Sequence, residues 1–350
     1  MNPEASRRAL PGVFFLDPAD PAALARHLQG LGVLAEHEPI TAVGRAGEGN
    51  MNCTLRVRTD RRSVIVKQAR PWVEKYPQFA APWDRALREA DFYRLVLQAP
   101  EAAALMPALL AADAGSRLLV LQDLGDAGDY TDLYLGATLD PSELTTLARY
   151  LAALHGVRAE SPAPPLANRE MRALNHAHLF DLPLRPGGGP DLDAITPGLA
   201  DVAEDLRADA ALRAEVKRLG KAFYLEDGPC LIHGDFFPGS LVRTPAGPRV
   251  IDPEFGFFGR AEFDVAVFLA HLLLAEQPSA IVSAWLEMNR DTADESLVLP
   301  LAGVEIIRRL IGYAQLPLRC GLATRTRLLR HAAELIWNPA LASARGLITA

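Results

Sequence analysis

Cysteine is scarce in this 350-residue sequence: Cys53, Cys230 and Cys320 are far apart and odd in number. That excludes a disulfide framework and the closely spaced ligands of a zinc site, so a reducing cytoplasm is the expected setting. No cluster of Lys and Arg interleaved with aromatics is present, and the net charge is −7. A nucleic-acid partner is therefore not expected, and an anionic ligand must be met by local cations. Long apolar runs are missing too. VAVFLAHLLLA, Val265 to Ala275, falls short of a membrane span and reads as a buried core helix, so no membrane partner is expected. In SRRALPGVFFL, near the N-terminus, Pro11 and Gly12 interrupt the apolar stretch and Asp17 ends it, which argues against an export signal. There is no internal repeat. A small-molecule substrate is left as the expected partner, with a homodimer left open.

With 49% hydrophobic and 23% charged residues, the chain can bury a large core, and its length suggests two lobes. Residues 18 to 36 have the apolar spacing of a capped helix. From Ile40 to Lys67 the pattern turns to strands: CTLRVRT and SVIVK alternate or run apolar, with TDRR as the turn between them and GRAGEGNMN, residues 44 to 52, as a glycine-rich loop before them. WDRALREADFYRLVLQA, residues 83 to 99, reads as a one-faced helix stopped by Pro100. SRLLVLQDLGD, residues 116 to 126, reads as a buried strand ending in a polar connector, after which the chain is mainly helical to residue 350. Pro141 to His155 has proline in its first turn and a clean apolar stripe. Residues 157 to 201 form a Pro/Gly-rich excursion, with a short helical piece from about Asn168 to Phe180.

The chemistry concentrates in HGDFFPGSLVRTPAGPRVIDPEF, residues 233 to 255. Apolar CLI leads into His233, Gly234 permits a sharp turn, and TPAGP reverses a strand into RVID. This hairpin brings Ser240 near the level of Asp252. If strand geometry persists through Pro253, the carboxylates of Asp252 and Glu254 face one way and suit Mg²⁺. Asp252 before proline could equally be a plain turn former.

His233, Asp235 and Ser240 take the first, third and last places of the protein-kinase catalytic-loop pattern, and Asp252 takes the metal-binding place. A kinase also needs a loop over the phosphates, here with Gly44, Gly47, Gly49 and Asn50, and a strand lysine held by a helical glutamate, here Lys67 and Glu89. Gln122, Asp123 and Leu124 fall where backbone groups of a hinge can read adenine edges. Each element alone has a plainer reading: a turn, a solvated strand end, a helix charge paired with Arg85 or Arg88. Their order along the chain favours the kinase reading. The expected fold is α+β and bilobal, with a small β-rich N-lobe over residues 1–121, a hinge at 122–126 and a larger helical C-lobe over 127–350.

GEGNMN, IVKQA, LQDLGD, LIHGDFFPGSLV, VIDPEFGFFGRAEFDVAVFLAHLLLA and GVEIIRRLIGYA resemble, in the same order, segments of the 5-methylthioribose kinases. That family lies in the aminoglycoside-phosphotransferase-like and choline-kinase-like branch of the protein-kinase fold. The resemblance spans about residues 40 to 340, and the chain is somewhat short for the family. Where the family reads HGDLHTGS, this sequence has Phe236, Phe237 and Pro238. The resemblance implies ATP and Mg²⁺ as cofactors, Asp235 as catalytic base with His233 ordering its loop, and Asp252 and Glu254 as metal ligands. It further implies Lys67 on the ATP phosphates, and Arg308 and Arg309 at the sugar or the transferred phosphoryl group. Two adjacent guanidinium groups on an apolar helix lie about 100° apart and cannot both reach bulk water easily, so the pair serves either structural salt bridges or a fork for oxygens. It also counts against a polycationic aminoglycoside as acceptor.

Overall fold

Period-2 burial organises the first compact unit, Met1–Leu97 with Ala103–Ala127, in a computed structural model that describes residues 8–47, 49, 51–161 and 164–337. In β2 (Cys53–Thr59) the buried positions are Cys53, Leu55 and Val57, and in β3 (Ser63–Gln68) Val64 and Val66 face the same core. With β1 (Ile40–Arg45), β4 (Leu109–Asp113) and β5 (Leu118–Gln122) they form one antiparallel sheet in the order β1-β2-β3-β5-β4. The segment of β4, LLAAD, has too little alternation or β-branching to be read as a strand from sequence. Helix α1 (Pro21–Gly30) is started by Asp20, whose carboxylate accepts from Ala23 N, and buries Leu24 and Leu28 against the sheet core. Gln68 is fully buried because it ties the N-terminal segment down: its amide bonds Leu16 N, Phe14 O and Ser116 O. Helix α2 (Arg85–Leu95) completes the elements that carry functional side chains in this unit.

The second unit, Gln98–Ala102 with Gly128–Ala350, is mainly helical. Its first long helix is α3 (Pro141–His155), with Pro141 in the first turn after an Asp140 cap. The Pro/Gly-rich excursion holds α4 (Arg169–Phe180), where the short helical piece is expected. Short strand β6 (Cys230–Ile232) pairs with β9 (Phe257–Gly259), and β7 (Leu241–Thr244) pairs with β8 (Gly247–Val250) as the expected hairpin. Helix α5 (Ala261–Leu274) is apolar almost all round and buried accordingly. It is followed by α6 (Ser279–Asn289), α7 (Glu295–Ile311) and α8 (Leu322–Trp337). The expectation of helix to residue 350 is met through Trp337, and residues 338–350 lie outside the described residues. Among the described residues no helix is long and apolar enough to cross a membrane.

Candidate active site

In the first unit, strand alternation decides where Lys67 points. Val64, Val66 and Gln68 occupy one face of β3, so Lys67 emerges on the other. There its Nζ lies 2.6 Å from Glu89 Oε2, both side chains nearly buried. Arg85, 1% exposed, donates to Asn52 Oδ1 and to the carbonyls of Met51, Arg70 and Pro82, and Arg88 pairs with Asp91. Arg85 thereby braces the end of the glycine-rich loop, a role that its charge alone does not signal. In that loop Gly44 belongs to β1, opposite Arg56, Gly47 takes the left-handed φ of +78° that glycine permits, and Gly49 is exposed. Asn50 lies outside the described residues.

Gln122 ends β5, and its Oε1 accepts from Ala108 N. Asp123 is held by Ser63 Oγ at 2.5 Å and Arg56 Nε at 2.8 Å. Burial works to raise its pKa, but those bonds and the Gly125 N–H hold it below the usual carboxylate value. Its side chain is thus committed to fixing the turn.

In the second unit the His233–Asp235 turn is anchored from below by a residue outside the motif. Asp264, fully buried in the first turn of α5, accepts from His233 N at 2.7 Å, Gly234 N at 2.9 Å and His155 Nε2 at 3.1 Å. Gly234 has φ +81°, and a Cβ there would sit 2.2 Å from Phe255 O, so no other residue fits. The His233 ring donates from Nε2 to Ile251 O at 3.0 Å, joining this turn to the chain just before Asp252. Ser240 is level with Ile251, whose N–H bonds the Ser240 carbonyl, and the Ser240 hydroxyl donates to Asp235 O at 2.9 Å.

The strand does not persist through Pro253. β8 ends at Val250, and Asp252 adopts a left-handed φ of +64°, which corrects the alternation argument for Asp252 and Glu254. Their carboxylate oxygens nonetheless lie within 4.8 Å of one another, brought together by that turn. Asn168, itself at φ +46° and buried, holds the turn by donating to the carbonyls of Glu254 and Gly256, both at 2.9 Å. Two converging hard oxygen donors, one nearly buried, fit a divalent cation such as Mg²⁺.

Neither guanidinium of the arginine pair reaches for water. Arg308 Nη1 and Arg309 Nη2 both approach Asp235 Oδ1, at 3.4 and 3.2 Å, and both also bind Glu305 on their own helix. Arg309 further covers the Phe237 ring, 4.5 Å from its centroid. Burial works against the Arg308 charge, but Glu305 and Asp235 outweigh it and raise its pKa above the ordinary value. The four groups carry two positive and two negative charges, so repulsion of a polycationic acceptor does not follow from the arginines alone. Glu305, three and four residues upstream of the arginines on the same helix, corrects the expectation built on that repulsion.

Residues 43–297, well over half the chain, match the phosphotransferase enzyme family, and the chain belongs to that family. It is 29% identical over 257 residues to a methylthioribose kinase of Exiguobacterium sibiricum, covering 70% of this chain and 64% of that protein. It is 26% identical over 276 residues to methylthioribose kinase 2 of Oryza sativa subsp. japonica, covering 74% and 63%. The chain thus matches somewhat less than two thirds of the length of these curated relatives. Among solved structures, LicA in complex with AMP aligns with TM-score 0.52 at 16% identity, covering 90% of this chain and 98% of that one. The choline kinase LicA from Streptococcus pneumoniae aligns at 0.50 and 14%, covering 90% and 99%. Such distant likeness speaks for the fold, which is the protein-kinase-like mixture of helix and sheet expected from the sequence.

Proposed function

We propose that this protein transfers the γ-phosphoryl group of ATP to a hydroxyl of a small sugar, with 5-methylthioribose at its anomeric hydroxyl the leading acceptor. The observation that carries the reading is Asp235, held in a tight turn with both Arg308 and Arg309 on its Oδ1, in the same unit as a converging carboxylate pair. Membership of the phosphotransferase enzyme family and the named relatives support it.

In this reading Lys67, fixed by Glu89, binds the ATP phosphates. The loop of Gly44, Gly47 and Gly49 covers them, and the backbone of Gln122–Leu124 receives the adenine. Asp252 and Glu254 would hold Mg²⁺, which when bound neutralises charge on the transferred phosphoryl group. Because both guanidinium groups take Asp235 Oδ1, Oδ2 is left to accept the acceptor's hydroxyl proton as its oxygen attacks the γ-phosphorus. The new P–O bond forms as the bond to the β-phosphate oxygen breaks and ADP leaves. The remaining guanidinium donors face the acceptor oxygens or the phosphoryl group, and catalysis is mostly positioning.

An ADP-release screen against methylthioribose, ribose, homoserine, choline and kanamycin tests the acceptor. Turnover is expected with methylthioribose; efficient phosphorylation of choline or kanamycin in its place overturns the assignment. The same assay reads the metal. Glu254→Ala should raise the Mg²⁺ needed for half-maximal rate by roughly tenfold or more, since even outer-shell partners of a metal contribute on that scale. Excess Mg²⁺ should partly rescue it. An unchanged Mg²⁺ titration would make Glu254 structural.

A further inference from the structure

We propose that Glu305 is a positioning residue for Asp235, acting through Arg308 and Arg309, and that Tyr134 and His271 form the buried bracket that fixes Glu305. The proposal rests on Asp235 being the acceptor-side base.

Contact lengths show which carboxylate anchors the arginines. Glu305 accepts from Arg309 Nε at 2.6 Å and from Arg308 Nη1 at 3.1 Å, whereas the approaches to Asp235 are 3.2 and 3.4 Å. The guanidinium groups are thus held by Glu305 and presented to Asp235. Glu305 is fully buried, and burial works to raise its pKa, but Arg308 and Arg309, with His271, hold it well below the usual carboxylate value. It is therefore an acceptor only.

That fact orients the next bond. His271, fully buried on α5, places Nε2 3.1 Å from Glu305 Oε1, so Nε2 must carry the proton. Burial is the largest influence on His271 and pushes its pKa down to about 4, so the ring is neutral and Nδ1 keeps its lone pair. Tyr134 lies 2.5 Å from Nδ1 and can only donate to it. Burial also keeps this phenol protonated, raising its pKa well above the ordinary value. One protonation pattern fits all of these bonds: the Tyr134 O–H donates to His271 Nδ1, the His271 Nε2–H donates to Glu305, and both arginines donate to Glu305. Phe237 closes the group from the side, its ring 4.5 Å below the Arg309 guanidinium and 5.2 Å from the His271 ring. A network so buried is rigid when complete and costly when one partner is lost.

Tyr134→Phe removes a single hydroxyl and is the variant that reads the bracket without emptying the core. Its kcat with ATP and the acceptor should fall roughly tenfold or more, the scale on which a misplaced reacting group loses rate. KM for ATP should stay within about twofold, because the bracket does not touch the nucleotide in this reading. In an Asp235→Asn background the same change should have no further effect; an equal further loss there would mean that Tyr134 acts elsewhere and overturns the proposal. Hydrogen exchange of the Arg309 Nε–H, followed by NMR on ¹⁵N-labelled protein, needs no substrate. It should speed up in Tyr134→Phe, and an unchanged rate overturns the proposal even if no tested acceptor is phosphorylated. Failure of the acceptor screen alone sinks the proposed acceptor and leaves this exchange measurement to decide the bracket. Glu305→Gln extends the series if it folds.

Discussion

Asp235→Asn is expected to lower turnover at least ~100-fold, the lower end of what a positioned base contributes, while ATP binding stays within about twofold of wild type. The amide cannot take the acceptor's proton, so the step that needs Oδ2 as a base is lost. Its Oδ1 can still accept from Arg309, at 3.2 Å in the wild-type geometry, so the fold around the turn has a partner to keep. Neutralising Asp235 does leave Glu305 as the one carboxylate facing two buried guanidinium groups, and a drop of a few degrees in melting temperature is expected. The diagnostic result is therefore the ratio: a large loss of kcat beside a small loss of stability and unchanged nucleotide affinity by calorimetry. A variant that keeps more than a tenth of wild-type turnover removes Asp235 from the role of base.

The parts of this site that the sequence disclosed are those set by short-range periodicity. Two-residue alternation in SVIVK marks the strand that carries Lys67 and helical spacing marks the helix that carries Glu89, but their pairing is legible only from the kinase order of elements along the chain, since each residue alone reads as a solvated strand end or a helix surface charge. The hairpin between Leu241 and Val250 was legible from short-range pattern, with TPAGP supplying the reversal. Asp252 was placed near Glu254 by an alternation that the chain does not follow. The left-handed turn that joins them depends on Asn168, more than eighty residues upstream, which no local pattern announces. Asp264, Glu305, His271 and Tyr134 were hidden in the same way. Each sits in a stretch that reads as apolar helix or connector, and its importance comes from a partner distant in sequence: Asp264 reaches back to His233, and Tyr134 reaches forward to His271. Composition marks such residues only as polar exceptions in an apolar run. The arginine pair was the one exception conspicuous enough to stand out, and its neighbour Glu305 was missed although helical spacing alone places it on the same face.

The hidden residue with the largest expected effect is Asp264. Its carboxylate takes two backbone N–H groups and the His155 ring, and all of these groups are buried. Asp264→Ala strands those donors away from water, and a buried donor left unpaired costs about 1–3 kcal/mol, so a local loss of roughly 3–5 kcal/mol is expected. Because the chain divides into two compact units, a single unfolding midpoint would mix their responses. Amide hydrogen exchange at His233 and Gly234 reads the site directly: protection there should fall at least ~100-fold, which is the exchange equivalent of that loss. Turnover should fall with it, since Asp235 follows Gly234 by one peptide bond. Asp264→Asn separates charge from geometry. Its amide oxygen can still accept from one backbone N–H, but its NH₂ would meet a second donor, so protection should be lost at one of the two amides and largely kept at the other. If both amides keep wild-type protection in Asp264→Ala and turnover is unchanged, the carboxylate is merely packed beside the turn, and the geometry of Asp235 must be set by Gly234 and the His233 ring alone.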